Sequence, residues 1–329
     1  MQRIVAGKFR RYNHLTFMQQ ALWPSLVLKN LRDGFLVVAG FIQSFAKMVI
    51  WRPDVVFTKG GFVCLPVGYA AHLLGIPLVI HDSDAHPGLT NRILSRWATS
   101  IGTGAPLEFY HYDKNRAHYV GIPIDESIHP LSAAEQKAAK KEWGIDPERP
   151  LLVVTGGGLG ATRINNVVST TLKQLLKFTS VVLVSGTGQY DELKAALPKN
   201  DEHFQLHSFV TGMPTLLGAA DVVVTRAGAT TILELAALKK PSILIPNAKL
   251  TGGHQVKNAK VYSDKNAVVV LNEDETELAP TKLVKAVKDL LDNPKETNRM
   301  AARFYTFSRP NAAKDMAALI IAARNKRTV

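Results

Sequence analysis

The chain has 329 residues, 46% hydrophobic and 20% charged, a soluble globular composition with apolar material for two cores at ~100 to 200 residues per domain. These values exclude a disordered, collagenous or coiled-coil chain, and the lone cysteine, Cys64, excludes an internal disulfide and a cysteine-rich zinc site, as suits a reducing, cytoplasmic compartment. The net charge of +13 is concentrated at the front: residues 1–50 hold Arg3, Lys8, Arg10, Arg11, Lys29, Arg32 and Lys47 against Asp33 alone, which points to an anionic partner such as a membrane surface, phosphates or nucleic acid.

In chain order, residues 1–50 read as loop and helix. The basic start is not followed by an uninterrupted apolar core with a small-residue cleavage site, so it does not read as a signal peptide. The apolar stretch Gly34 to Ile50 is interrupted by Gln43, Ser44 and Lys47 and falls short of the ~20 residues of a membrane span. It fits a buried core helix or a helix lying on a bilayer surface.

From there, short β-rich runs alternate with helical patterns. Strands are expected at Asp54 to Thr58, Pro77 to His81, Thr99 to Thr103 and His118 to Gly121. After the proline-containing stretch Gly121 to Pro130, which reads as a linker, a charged helix is expected over Leu131 to Gly144, with Ser132 and Glu135 spaced as a capping box. Further strands are expected at Leu151 to Thr155, Ser180 to Ser185, Phe204 to Phe209, Val222 to Thr225, Ser242 to Pro246 and Ala267 to Leu271. Strands separated by helices imply parallel sheets, hence an α/β fold of two Rossmann-like, doubly wound domains facing a cleft. The expected domains are residues 1–124, residues 125–310 and a C-terminal helix, 311–329, packing back on the first domain.

A doubly wound half opens with a strand, a glycine-rich turn and a helix, and no such opening stands in residues 1–50. The first domain is therefore expected to be incomplete at its front by one or two βα units, roughly 30 to 60 residues, through truncation or because a partner chain supplies them.

Three strand ends of the second domain carry ligand-binding signatures. Leu151 to Thr155 runs into Gly156, Gly157, Gly158, Leu159 and Gly160, whose missing Cβ atoms let backbone N–H groups approach a phosphate ahead of a helix N-terminus; a tight strand-to-helix turn has the same composition. Val222 to Thr225 leads through Arg226, Gly228 and Ala229 into a helix bearing Glu234, a carboxylate suited to a ribose diol or, more ordinarily, to solvent. After Pro246, His254, Gln255 and Asn258 open another helix, and the last two share a face that can read sugar hydroxyls. In the first domain, Lys59-Gly60-Gly61-Phe62 and the loop His81, Asp82, Ser83, Asp84, Ala85, His86 follow two strands. The loop's histidines and carboxylates define no metal geometry and suit a polar, catalytic or acceptor-binding role, or simple loop capping.

These segments, in this order and spacing, resemble the MurG family of GT-B glycosyltransferases. The resemblance runs from about Pro53 to the C-terminus through RPDVVFTKGGFVCLPVGYAAHLLGIPLVIHDSDAHPGLTNRIL, VVTGGGLGATRIN, ADVVVTRAGATTILELAALKKPSILIP and HQVKNA. It implies inverting transfer of N-acetylglucosamine from UDP-N-acetylglucosamine to an undecaprenyl-diphosphate-linked muramyl pentapeptide in peptidoglycan synthesis. No metal or other cofactor is implied, nor a nucleic acid partner, and the place of action would be peripheral, on the anionic cytoplasmic face of the cell membrane. The donor would meet Gly157, Gly158, Gly160, Arg226, Gly228 and Ala229 at its diphosphate, Phe209 and Val210 at uracil, Glu234 at the ribose, and His254, Gln255 and Asn258 at the sugar. The acceptor would meet Gly60, Gly61, Phe62 and Asn91, with Asp82 and His81 as candidate general bases. The family's opening glycine loop and its histidine have no counterpart here, its usual His-Glu-Gln-Asn is His81-Asp82-Ser83-Asp84, and its usual Ser-Gln is Gly158-Leu159. The alternative expectation is a donor-binding half, or an inactive module, of a split transferase that needs a partner chain.

Overall fold

The computed structural model describes residues 3–8, 16, 18–19, 22–157, 160–249 and 253–325. The chain divides into two compact units, one of residues 1–123, 250–254 and 311–329, the other of residues 124–249 and 255–310.

The first unit holds helix α1 (Pro24–Trp51), β1 (Val56–Thr58), α2 (Cys64–Leu73), β2 (Leu78–Asp82), α3 (Leu89–Leu94), β3 (Ser100–Thr103), β4 (Ala117–Tyr119) and, from the chain's end, α13 (Ala312–Arg324). Its sheet is parallel in the order β1-β2-β3-β4, with Phe57 opposite Val79 and Ile80 opposite Ile101. Because side chains alternate across a strand, Leu78 and Ile80 face one side and join Val56, Ile101, Leu94, Ala70 and Met48 in one core. Val79 faces the other side, where Val120, Met316 and Ala323 cover it.

Helix α1 corrects the expectation of a short apolar segment. Pro24, at a first-turn position where its missing N–H costs nothing, starts a 28-residue helix, ~42 Å at 1.5 Å per residue, long and apolar enough to cross a membrane by length and composition. Nor is it a buried core helix. It buries the narrow side marked by Leu26, Asp33, Gly40, Ser44 and Met48 and leaves Leu28, Leu31, Phe35, Val38, Ile42 and Val49 exposed. The Ser44 hydroxyl donates to the Gly40 carbonyl one turn back (2.6 Å), and the Gln43 side chain accepts from the Val5 N–H (3.0 Å), holding the segment 3–8 along the helix.

In the second unit, α4 (Ala133–Glu142) has the expected capping box: the Glu135 N–H donates to Ser132 Oγ (3.3 Å) and the Ser132 N–H to Glu135 Oε2 (2.8 Å). There follow β5 (Leu151–Thr155), α5 (Thr162–Leu175), β6 (Ser180–Val184), α6 (Tyr190–Ala196), β7 (Phe204–His207), α7 (Met213–Ala219), β8 (Val222–Thr225), α8 (Ala229–Ala237), β9 (Ser242–Leu244), α9 (His254–Ser263), β10 (Val269–Val270), α10 (Glu273–Leu278), α11 (Thr281–Asp292) and α12 (Pro294–Tyr305). The six strands are parallel in the order β10-β9-β8-β5-β6-β7. Chain order therefore reverses between β5 and β8, which pair from Leu152 opposite Val222 to Thr155 opposite Thr225. Such a switch point opens a crevice at the carboxyl ends of the two central strands.

Candidate functional site

At that switch point, Gly157 and Gly160 have positive φ, 76° and 73°, and the Gly160 N–H donates to the Gly157 carbonyl (3.0 Å). A Cβ on Gly160 would stand 2.6 Å from the Ser185 carbonyl oxygen, so only glycine lets the turn lie this close to the β6 loop. Gly158 and Leu159 lie outside the described residues. Behind the turn, fully buried Asn165 donates its amide to the Ser185 carbonyl and to Gln189 Oε1, both at 2.9 Å, tying α5 to the loop after β6.

The neighbouring turn, Arg226 to Gly228, leads into α8, whose N-terminus carries no side-chain cap; neither does that of α5. Two helix N-termini at adjacent strand ends bring backbone donors and partial positive charge to one place. Arg226 does not add a loose cation there. Its buried guanidinium pairs with the Glu273 carboxylate and donates to the Ile245 carbonyl (3.0 Å), while Arg163 on α5 donates to Glu273 (2.7 Å), Asp274 and Glu277. One buried carboxylate thus joins the turn after β8 to the start of α5, a link between residues 110 positions apart that no local pattern announces.

Glu234 is half-buried on α8, with no hydrogen bond or ion pair from its carboxylate among the described residues, and burial raises its pKa. A solvent-accessible carboxylate without a partner among the described residues suits a ligand hydroxyl. Asn258 is 2% exposed and donates to the Ala227 carbonyl (3.2 Å), and Gln255 Oε1 accepts from the Asn247 N–H (2.8 Å). Asn258 is thus built into the wall of the site, with its amide fixing the turn before α8. Past β7, Phe209 is exposed and Val210 buried; His254, the first residue of α9, is half-buried.

In the first unit, Gly60 (φ 81°) ends the β1 turn, and a Cβ on it would meet the Asn91 side chain at 2.5 Å; Gly61 and Phe62 beside it are exposed. Asn91, 1% exposed on α3, donates to the His81 carbonyl (3.0 Å) and joins the loops after β1 and β2. His81 is 0% exposed: its Nε2–H donates to the Gly121 carbonyl (2.8 Å), Ser83 Oγ lies 3.4 Å from Nδ1, and burial holds the ring neutral by lowering its pKa. Both ring nitrogens of His81 are thus engaged within the protein. Asp82, 6% exposed, accepts from the Tyr112 hydroxyl, and burial raises its pKa despite that bond.

A doubly wound sheet with a glycine loop and two uncapped helix starts at its switch point, joined to a second parallel-sheet unit, is the architecture of the GT-B fold. Residues 8–103 match the N-terminal domain of glycosyltransferase family 28 and residues 151–316 its C-terminal domain. The UDP-N-acetylglucosamine--N-acetylmuramyl-(pentapeptide) pyrophosphoryl-undecaprenol N-acetylglucosamine transferase of Clostridium kluyveri is 35% identical over 302 residues, covering 91% of this chain and 79% of that protein. The enzyme of the same name from Symbiobacterium thermophilum is 32% identical over 92% of this chain and 80% of that one. MurG of Acinetobacter baumannii superposes with a TM-score of 0.72 at 26% identity, covering 88% of this chain and 79% of that one. The Neisseria meningitidis UDP-GlcNAc 2-epimerase, at a TM-score of 0.64 and 12% identity over 87% of this chain and 81% of that one, shares the fold. This chain belongs to the MurG family.

Proposed function

We propose that the chain transfers N-acetylglucosamine from UDP-N-acetylglucosamine to the muramyl pentapeptide of an undecaprenyl-diphosphate lipid, with inversion. The observation that carries the donor half is the pair of uncapped helix starts flanking the positive-φ glycine turn at the switch point. In this reading the donor diphosphate meets the backbone of Gly157, Gly160, Gly228 and Ala229, and the diol of the ribose meets the Glu234 carboxylate. Uracil lies at the backbone of Phe209 and Val210, and Gln255 faces the sugar.

The acceptor oxygen attacks the anomeric carbon as the bond to the β-phosphate oxygen breaks; UDP leaves with the electron pair, and inversion follows from the single displacement. Backbone donors aimed at the departing diphosphate stabilise its charge. The attacking hydroxyl must lose a proton, and we assign Asp82 as its acceptor: a buried carboxylate with a raised pKa, at the carboxyl end of β2, is a better base than an exposed one. His81 holds the loop to Gly121, and Gly60 with Asn91 shapes the acceptor turn.

The exposed apolar residues of α1, with Lys29, Arg32 and Arg52 also exposed beside them, suit a helix docked on an anionic bilayer at the cytoplasmic face, where the lipid acceptor lies. The test of function is calorimetric titration with UDP-N-acetylglucosamine, UDP-glucose and NADH, followed by transfer of labelled sugar to the lipid-linked muramyl pentapeptide. Selective binding of the acetylated sugar and label in the lipid product are expected. Equal binding of all three, or none, overturns the donor assignment, and binding without transfer overturns the acceptor assignment.

A further inference from the structure

Asp82 does not sit in its loop unaided. The Tyr112 hydroxyl donates to Asp82 Oδ2 from the segment between β3 and β4, thirty residues along the chain. Tyr112 is itself fixed by its neighbour: the rings of Tyr110 and Tyr112 stack with centroids 5.6 Å apart and planes within 11°. Tyr110 is buried and anchored at its tip, where the hydroxyl donates to the Asp84 carbonyl (2.7 Å) and accepts from the Ala105 N–H (3.2 Å). Two tyrosines in an irregular segment thereby brace the loop after β2 at two points, one through its backbone and one through its carboxylate. The Tyr112 ring packs against the core of the first unit, a contact a phenylalanine would keep, so packing accounts for the ring and not for the hydroxyl on Asp82.

We propose that Tyr112 is a positioning residue for the transfer reaction, fixing the orientation of the Asp82 carboxylate at the end of β2 together with the Asn91 amide and the Gly88 N–H. This rests on the assignment of Asp82 as the base. A phenol that donates to the carboxylate also favours its charged form, so it opposes the effect of burial on the Asp82 pKa. The other groups that act on Asp82 are the Asn91 amide and the Gly88 N–H, which favour the anion, and the Asp84 carboxylate, which disfavours it; Tyr110 lies close enough to feel its charge, and Arg92 acts on Tyr112. Removing the Tyr112 hydroxyl leaves all of these in place and moves the Asp82 pKa upward.

The experiment is the pH profile of kcat/KM for sugar transfer in Tyr112→Phe, Tyr110→Phe and Asp82→Asn, each with its circular dichroism spectrum and UDP-sugar affinity measured alongside. In Tyr112→Phe the acidic limb is expected to shift to higher pH by about one unit, with kcat reduced roughly 10-fold and donor affinity unchanged. In Asp82→Asn transfer is expected to fall by 100-fold or more. A folded Tyr112→Phe protein whose acidic limb stays at the wild-type pH overturns the role of Tyr112. An Asp82→Asn protein that keeps wild-type transfer overturns instead the assignment of Asp82, so the two failures are distinguishable. If Tyr112→Phe does not fold, Tyr110→Phe, which loosens the brace and leaves the phenol of Tyr112 intact, must lower kcat without moving the limb; an unchanged kcat there refutes the bracing.

Discussion

Replacing Glu273 by Gln tests how the turn after β8 and the start of α5 are held. The Glu273 side chain is 6% exposed and stands between the guanidinium groups of Arg226, 10% exposed, and Arg163, 24% exposed. Arg163 keeps Asp274 and Glu277 when this anion is removed, but Arg226 is left with the Ile245 carbonyl. Stranding one charge of a buried pair costs ~3 to 5 kcal/mol, because the desolvated cation loses the field that compensated its burial. With an m-value of ~2 kcal/mol/M in urea, the midpoint of the second unit should fall by ~1.5 to 2.5 M. The double variant Arg226→Met, Glu273→Leu removes both charges and should recover most of that loss, since an apolar pair of similar volume is about as stable as a buried ion pair. Urea titrations followed by circular dichroism give the midpoints. A Glu273→Gln midpoint within ~0.5 M of wild type, or a double variant worse than the single one, refutes this account of the network.

Glu234→Ala should weaken UDP-sugar binding by ~1.5 to 3 kcal/mol, roughly 10- to 150-fold, by removing two charge-assisted hydrogen bonds; calorimetry showing unchanged affinity removes Glu234 from the site. Lys240 is buried, donates to the Ala220 carbonyl (3.0 Å) and has its pKa pushed from 10.5 down to about 8 by desolvation. Between those values the unfolded chain holds a proton that the folded chain has released, so this group makes stability rise with pH through that window, by up to ~3 kcal/mol, and leaves it flat below. Lys240→Met should lose that rise, and equal stability gains between pH 8 and 10 in both proteins would contradict it. On α1, replacing Phe35 and Ile42, both exposed, by Ser should lower flotation with anionic liposomes several-fold while leaving donor affinity unchanged; equal flotation with and without anionic lipid would dismiss the electrostatic part of the docking.

Most of the architecture was legible because parallel strands buried on both faces read as continuous apolar runs, and Leu151 to Thr155 and Val222 to Thr225 fall where the pattern places them. The capping box at Ser132 was legible for a similar reason, both partners lying within one turn. The helix start at Pro24 was not, because Lys29, Arg32 and Asp33 interrupt the apolar run while the backbone stays helical. At the site, the sequence located the strand ends but not what their side chains hold. Asn258 turns inward to Ala227, Arg226 to Glu273 and His81 to Gly121, bonds between residues 31 to 47 positions apart that depend on strand order and not on local spacing. Tyr112 gave no signal at all: its partner lies thirty residues away, and two tyrosines in an irregular segment match no periodic pattern.

Helix α13 has a consequence for how the chain is made. The face of the first sheet formed by Val79 and Val120 is covered by Met316 and Ala323, yet the whole second unit is synthesised between them. At ~5 to 20 residues per second, about 190 intervening residues keep that face bare for on the order of 10 to 40 seconds on the ribosome. The second unit, continuous except for a five-residue interruption at 250–254, can complete its sheet first, and the unit begun earliest is sealed last. During that interval Val79 and Val120 lack the cover that Met316 and Ala323 give them in the folded unit.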